Sequence, residues 1–392
     1  MRDSMDRREG KKIRFCVEEA KKLLTDLPTV MVVEILSWLP LKSIFKCRCV
    51  CKTWLQIISN PLFAKLHLSR SPISILIHEK VPKREAGYLR LYQVVEALDS
   101  GFIQIEETIF TPRLNLPDSS FILVDSCNGL VLLCGIEMKL VCVCNPVLDE
   151  FITIKVPQED KRTFNAFFCF GFSVKTNQYK VVQTFYVYGE GSKAELYTVG
   201  TGSWKSLGNA PYCSNLGYTR FNTFLHGACH WVEYLNFNLN DQKIKIVCFD
   251  FENDMFRDLP SPPQFKPEKD DLLMLGVIED SLCACCFRED SYQFDIWVMK
   301  DYGVKESWTM QFRIEDTFFP YSRGDYYCPL ILLKNGRMLM SCSDEEVICY
   351  NLKENRLMVT DIYAKGDRFS IIAYTPCFVS LKDVAIVEQI SR

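Results

Sequence analysis

Cysteine is the residue type whose spacing could do chemistry most readily in this chain, at Cys47-x-Cys49-x-Cys51, Cys142-x-Cys144 and Cys283-x-Cys285-Cys286. Structural zinc sites prefer gaps of two to four residues arranged as two pairs, whereas Cys-x-Cys on a strand puts both thiols on one face of a core. No metal site is expected. A second cluster, His226, Cys229 and His230, fares no better when read as strand. Residues four apart then stand about 13 Å from each other at ~3.3 Å per residue, too far for one ion. Only four histidines are present, His67, His78, His226 and His230, which is little general-base material. The paired acids Asp270-Asp271 and Asp344-Glu345-Glu346 fall in polar, turn-like stretches and are expected to be solvated. No glycine-rich phosphate loop occurs. The expected lists of catalytic, metal and cofactor-binding residues are therefore empty.

The elements that carry these residues must fit a chain of 392 residues, 48% apolar and 24% charged. That is ordinary globular composition at twice the usual domain length, so one large closed architecture or a small module joined to a large one is expected. Lys and Arg outnumber Asp and Glu by 12 to 7 in residues 1–60, and are outnumbered 34 to 42 in residues 61–392. Neither part has the basic excess of a nucleic-acid binder. Nineteen cysteines is an odd number, and Met1 to Lys22 is too charged for a signal peptide. A reducing compartment, nucleus or cytoplasm, is expected, with the cysteines serving as small buried hydrophobes. The longest apolar run, Leu130 to Cys144, is broken by Glu137 and Lys139, so no membrane partner is expected.

Residues 1–22 read as a disordered basic tail. From residue 23 to 68 the period is helical. Val32, Ile35, Leu36 and Leu39 lie at i, i+3, i+4 and i+7 between Pro28 and Pro40, with Asp26 as a candidate N-cap. Leu41, Ile44 and Phe45 mark a second segment, and Cys51, Trp54, Leu55 and Ile58 a third that ends near Asn60 and Pro61. Three short helices are predicted. Between Thr29 and Leu39 only Thr29, Glu34 and Ser37 are polar, more apolar than a surface helix needs. Periodicity alone fits equally a module that docks onto another protein and a cap packed on the rest of this chain.

Residues 69–392 change to a period near 2, in runs such as Ile73 to Ile77, Leu130 to Cys134 and Ile244 to Phe251. One landmark, a large side chain after polar turn residues, recurs at Phe151, Trp204, Phe256, Trp308 and Leu357, at intervals of 53, 52, 52 and 49. Phe102, 49 residues before Phe151, suggests a sixth unit. A period near 50 with several short strands per unit predicts a kelch-like β-propeller, six blades favoured and seven possible, over stacked sandwiches. The repeated side chain should fill the space between blades. Ile372 to Val379 should supply the strand that closes the ring beside Ile73 to Ile77.

Residues 26–68, DLPTVMVVEILSWLPLKSIFKCRCVCKTWLQIISNPLFAKLHL, closely resemble the F-box motif. Leu27-Pro28, Glu34-Ile35-Leu36, Leu39-Pro40, Lys42, Arg48, Val50, Lys52 and Trp54 carry the match, with Cys49, Cys51 and the bulky Trp38 as departures. The body resembles the F-box-associated domain of plant F-box proteins with kelch-like repeats. Ser126 to Leu130, Asn145-Pro146, His226 to Trp231, Phe249-Asp250-Phe251, Ile296 to Met299 and Glu306-Ser307-Trp308 carry that likeness. The resemblance implies an α+β multidomain chain that is the substrate-recognition subunit of a Skp/cullin/F-box ubiquitin ligase. It implies a Skp-type adaptor, a cullin bound through it and an unknown protein substrate as partners, with no catalytic residue and no cofactor in this chain. Leu27, Pro28, Ile35, Leu36, Leu39, Pro40, Ile44, Val50 and Trp54 would form the adaptor-facing and supporting core. The alternative is a propeller scaffold that holds the adaptor without a cullin. Substrate contacts would come from Lys161 to Phe168, Tyr212 to Phe221, Gln264 to Asp271 and Phe318 to Tyr327.

Overall fold

Four helices, not three, follow Leu27 in the computed structural model: α1 (Thr29–Ser37), α2 (Leu41–Cys47), α3 (Lys52–Ile58) and α4 (Pro61–Arg70). The structure describes residues 27–79, 88–96, 103–107, 121–135, 137–157, 167–212, 223–234, 244–262, 272–288, 293–315, 327–342, 346–354, 356–363 and 369–384. The basic tail, Asp26 and Phe102 lie outside them. Pro61 opens α4 rather than ending α3, because proline lacks only an N–H that the first turn leaves unpaired anyway. Asn60 Oδ1 accepts the Leu62 N–H at 2.8 Å and completes that start. α1 begins after Pro28 with no side-chain cap. α3 is capped by the Cys51 thiol, which accepts the Trp54 N–H at 3.5 Å.

Val32, Leu36, Ile44, Ile58, Phe63 and Ala64 form the buried interior of this first unit, which ends at Ser71. His67 is buried among them, and its Nε2–H donates to the Leu39 carbonyl at 3.3 Å, tying α4 to the end of α1. Burial lowers the His67 pKa below its ordinary value.

The second unit, from Pro72 on, is a six-bladed propeller. Blade 1 orders β24 (Phe369–Tyr374), β1 (Ser74–Glu79), β2 (Tyr88–Glu96) and β3 (Ile103–Glu107) from the centre outward. Blade 2 holds β4 (Phe121–Cys127), β5 (Leu130–Gly135), β6 (Leu140–Asn145) and β7 (Glu150–Lys155). Blade 3 holds β8 (Phe167–Ser173), β9 (Gln178–Val187), β10 (Gly191–Thr198) and β11 (Trp204–Asn209). Blade 4 holds β12 (Phe224–Leu225), β13 (Ala228–Tyr234), β14 (Ile244–Asp250) and β15 (Met255–Leu259). Blade 5 holds β16 (Leu272–Ile278), β17 (Ser281–Arg288), β18 (Gln293–Met299) and β19 (Trp308–Glu315). Blade 6 holds β20 (Tyr327–Leu332), β21 (Arg337–Cys342), β22 (Glu346–Asn351) and β23 (Arg356–Tyr363).

The ring closes beside Ile73 to Ile77 as the sequence predicts, but with a strand that begins at Phe369 and ends at Tyr374 rather than running to Val379: β24 pairs antiparallel with β1, Ile372 opposite Leu76, and becomes the innermost strand of the first blade. The repeated landmarks sit at or near the start of the outermost strands. The Trp204 indole N–H donates to the Lys155 carbonyl of the preceding blade at 2.8 Å, and Trp308 does the same to Pro260. Each tryptophan therefore joins two blades as well as filling the gap between them.

A second repeat accompanies three of the five landmarks, Phe151, Phe256 and Leu357: an Asx turn six residues before each. Asn145 Oδ1 accepts the Val147 and Leu148 N–H groups, Asp250 Oδ1 those of Glu252 and Asn253, and Asn351 Oδ1 those of Lys353 and Glu354.

Glycine lets innermost strands approach the next blade. A Cβ on Gly171 of β8 would lie 2.2 Å from the ring of Phe251 in blade 4. Gly171→Ala is expected to destabilise the propeller by about 2–3 kcal/mol. Phe251→Leu in the same chain should restore part of the loss, which paired thermal melts will show. No recovery would place the strain elsewhere.

Candidate functional site

Helix α1 has two apolar faces, and only one is used by its own unit. Val32 and Leu36 point inward, while Val30, Met31, Ile35 (49% exposed) and Trp38 (66% exposed) share the opposite side with Glu34. Val50, Leu55 and Leu62 add exposed apolar surface. Apolar groups left in water at this density mark a docking surface.

The nine residues expected at the adaptor site divide accordingly. Leu36 (1% exposed) and Ile44 are interior, Leu27, Leu39 and Trp54 are half-buried, and Pro28, Ile35, Pro40 and Val50 are exposed. Sequence reasoning left out Val30, Met31, Leu55 and Leu62, and named Trp38 only as bulky. Their positions on a helical wheel, 30, 31, 34, 35 and 38 on one side of α1, were the available signal.

On the propeller, the stretches expected to contact a target are the connections from β7 to β8, β11 to β12, β15 to β16 and β19 to β20. Apart from Phe167, Phe168, Tyr212 and Tyr327 they lie outside the described residues. Each joins the end of an outermost strand to the start of the next innermost strand. In antiparallel blades that puts the strand ends they join at one rim, opposite the rim that carries the Asx turns. At the connection rim Tyr186 and Tyr212 meet edge-on with ring centroids 6.2 Å apart, and Tyr188 beside them is 84% exposed.

The remaining polar groups serve the frame. Buried Asp125 of β4 accepts the Phe170 N–H of the next blade at 3.1 Å, and burial pushes its carboxyl well above the usual range. Lys180 donates to the Phe251 carbonyl at 2.9 Å and pairs with Asp254. Burial likewise raises the thiols of Cys134 and Cys377, each to about 12, which leaves these two protonated and unreactive.

Cys283 and Cys286 do have two residues between them, as zinc ligands would. Three positions along β17 nevertheless turn them to opposite faces, Cys283 towards blade 6 and Cys286 towards blade 4. Glu346 is buried at the start of β22 rather than solvated, and burial raises its carboxyl.

His226 is in a turn, with φ of 49°, rather than on a strand. That hairpin brings both His226 and His230 against Tyr302, with ring centroids 5.0 and 5.6 Å away. Among the described residues no group of three or more His, Cys, Asp or Glu could hold a metal ion.

His230 is the titratable group with the clearest consequence. Its Nδ1–H donates to the Thr223 carbonyl at 2.7 Å, and its Nε2 accepts from the Tyr302 hydroxyl at 2.6 Å. Burial lowers its pKa to about 4. The unfolded chain therefore binds a proton first as pH falls, so this group's contribution is intact above about 6.5 and is lost towards 4. Propeller stability should fall by about 1.4 kcal/mol per pH unit between roughly 6 and 4 from this residue alone. In His230→Gln the pH-dependence of the unfolding free energy should flatten by that amount between roughly pH 6 and 4, and an unchanged slope would exclude the assignment.

Comparison with known proteins decides the family. Residues 24–66 match the F-box domain, and residues 88–381 match the F-box associated beta propeller domain. The chain belongs to the F-box proteins with an F-box associated propeller. F-box protein At3g07870 of Arabidopsis thaliana is 26% identical over 84% of this chain and 86% of that protein. F-box protein CPR1 of the same plant is 26% identical over 85% and 84% of the two chains. F-box/kelch-repeat protein At3g23880, also from Arabidopsis thaliana, is 23% identical over 81% and 88%. This is a plant F-box protein with a six-bladed propeller. F-box proteins in general bind a Skp-type adaptor and act as non-catalytic substrate-recognition subunits, a role the outer face of α1 suits.

Proposed function

We propose that this F-box protein is the substrate-recognition subunit of a Skp/cullin/F-box ubiquitin ligase, working in the nucleus or cytoplasm. The F-box holds a Skp-type adaptor and, through it, a cullin, while the propeller holds the protein to be ubiquitylated. The chain itself supplies no catalytic residue and no cofactor, and ubiquitin transfer belongs to other subunits. The observation that carries this reading is the surface of the helical module, where Ile35 of α1 and Pro28, Pro40 and Val50 beside the helices stand exposed over an interior that includes Leu36 and Ile44.

The target is proposed to sit at the connection rim of the propeller, where Tyr186, Tyr188 and Tyr212 stand together. Aromatic residues dominate protein interfaces because they bury large areas at low conformational cost.

The test is co-purification of the intact chain and of a version lacking residues 1–71 with a Skp-type adaptor and a cullin, followed by mass spectrometry. Adaptor and cullin should appear only with the intact chain. Proteins retained by both versions are the target candidates, and their lifetime should lengthen when the F-box is deleted. An adaptor recovered without a cullin would favour the scaffold alternative, and recovery of neither would overturn the ligase reading.

A further inference from the structure

The least expected side chain on the F-box surface is Trp38, a large indole two-thirds exposed at the end of α1. Removing it would take nothing from the interior built by Val32 and Leu36. Yet it is held in place. Its Nε1–H donates to Glu34 Oε1 at 3.0 Å, one turn back on the same helix face. The Arg70 guanidinium lies 4.5 Å from its ring centroid. Arg70 is itself fixed by Glu34, with Nη1 3.0 Å from Oε1 and Nη2 donating to Oε2 at 3.1 Å, and it also donates to Ser37 Oγ. These charge-assisted bonds hold the Glu34 carboxyl below its ordinary pKa, Arg70 being the larger cause.

An exposed side chain normally loses rotamer entropy when it enters an interface. Here that cost has been met within the free chain. Arg70 lies four residues beyond the stretch that matches the F-box domain, so the clamp is an addition at the edge of the shared module.

We infer that Trp38 is the anchor residue of adaptor docking in this protein and that Arg70 is its positioning residue, an inference that rests on the adaptor-binding reading above. The occupant is the Skp-type adaptor, presenting an apolar pocket for the indole with an acidic border. Trp38 is continuous with Val30, Met31 and Ile35, and residues 27–71 carry six Lys or Arg against the single acid Glu34, already engaged by Arg70. A rigid tryptophan ringed by smaller contacts is the usual form of a binding hot spot.

The experiment titrates a purified Skp-type adaptor into the full-length chain and its variants by calorimetry, with melting temperatures measured alongside. Trp38→Ala should weaken binding roughly 30-fold. Arg70→Met should cost roughly tenfold through the lost stacking, and Arg70→Lys, which keeps the charge opposite Glu34 but not the planar contact, should fall between. The double variant Trp38→Ala with Arg70→Met should bind no more weakly than Trp38→Ala alone, because Arg70 acts through the indole. Melting temperatures should be unchanged, and Arg70→Lys carries the argument should Arg70→Met lower its own. Trp38→Ala binding within twofold of the parent would overturn the anchor, and an Arg70→Met effect that persists without the indole would overturn the positioning role. An unaltered chain that does not bind the adaptor at all overturns the ligase reading itself, and this inference with it.

Discussion

Removing residues 369–392 is expected to give an insoluble chain, whereas removing only 375–392 should give a soluble one that melts several degrees lower. The first cut takes β24 from the centre of blade 1 and exposes the edge of β1 along its whole length, from Ser74 to Glu79. An unpaired, apolar edge strand is a template for aggregation. The second cut keeps that strand and removes the segment C-terminal to it. Cys377, Phe378 and Leu381 are buried, and Leu381 packs into the core between blades 2 and 3. Asn145 Nδ2 donates to the Val379 carbonyl at 2.7 Å, and Glu150 Oε2 accepts the Leu381 N–H at 2.9 Å. The chain thus fastens blade 2 after closing blade 1. Loss of one buried leucine costs about 2–5 kcal/mol, and leaving Asn145 and Glu150 buried without those partners adds to it. Expression, sedimentation and melting of the two truncations check this. Equal solubility of both would mean that closure does not depend on β24.

Ile35→Asp is expected to lower adaptor affinity at least roughly a hundredfold while leaving the melting temperature of the chain unchanged. The new carboxylate would be buried unpaired in the docked complex but would stay in water in the free chain. Its neighbours on α1, Met31 and Trp38, are exposed, so nothing in the free unit is disturbed. Leu36→Asp makes the contrast. It would also abolish binding, but by placing a charge in the buried interior of the helical unit, and the four helices should unfold with it. A titration with matched circular dichroism separates the two. Normal affinity in Ile35→Asp would move the adaptor surface away from α1.

That contrast also marks where sequence reasoning reached its limit. The blade number, the role of Trp204 and Trp308 and the closing strand were legible because they rest on local signals that repeat: a strand, a turn and a landmark every 49 to 53 residues. The Asx turns at Asn145, Asp250 and Asn351 were legible in principle at the same period, six residues earlier. Helix α4 was missed because Pro61 reads equally as the end of one helix and the start of the next, and only the Asn60 cap and the burial of Phe63 and His67 choose between them. Cys283 and Cys286 carried a zinc-like spacing whose meaning depends on β17 being a strand.

The sequence alone therefore determined the order of parts, a short apolar helical module followed by a six-unit ring, since each part is written in its own period. The tertiary structure decided which side of α1 is interior. With apolar residues at Val30, Met31, Val32, Val33, Ile35 and Leu36, the helix has no polar side that must face water. Only the packing of α4 against α1, which leaves Val32 and Leu36 buried, puts Ile35 and Trp38 outside, and long-range contacts of that kind follow no local period.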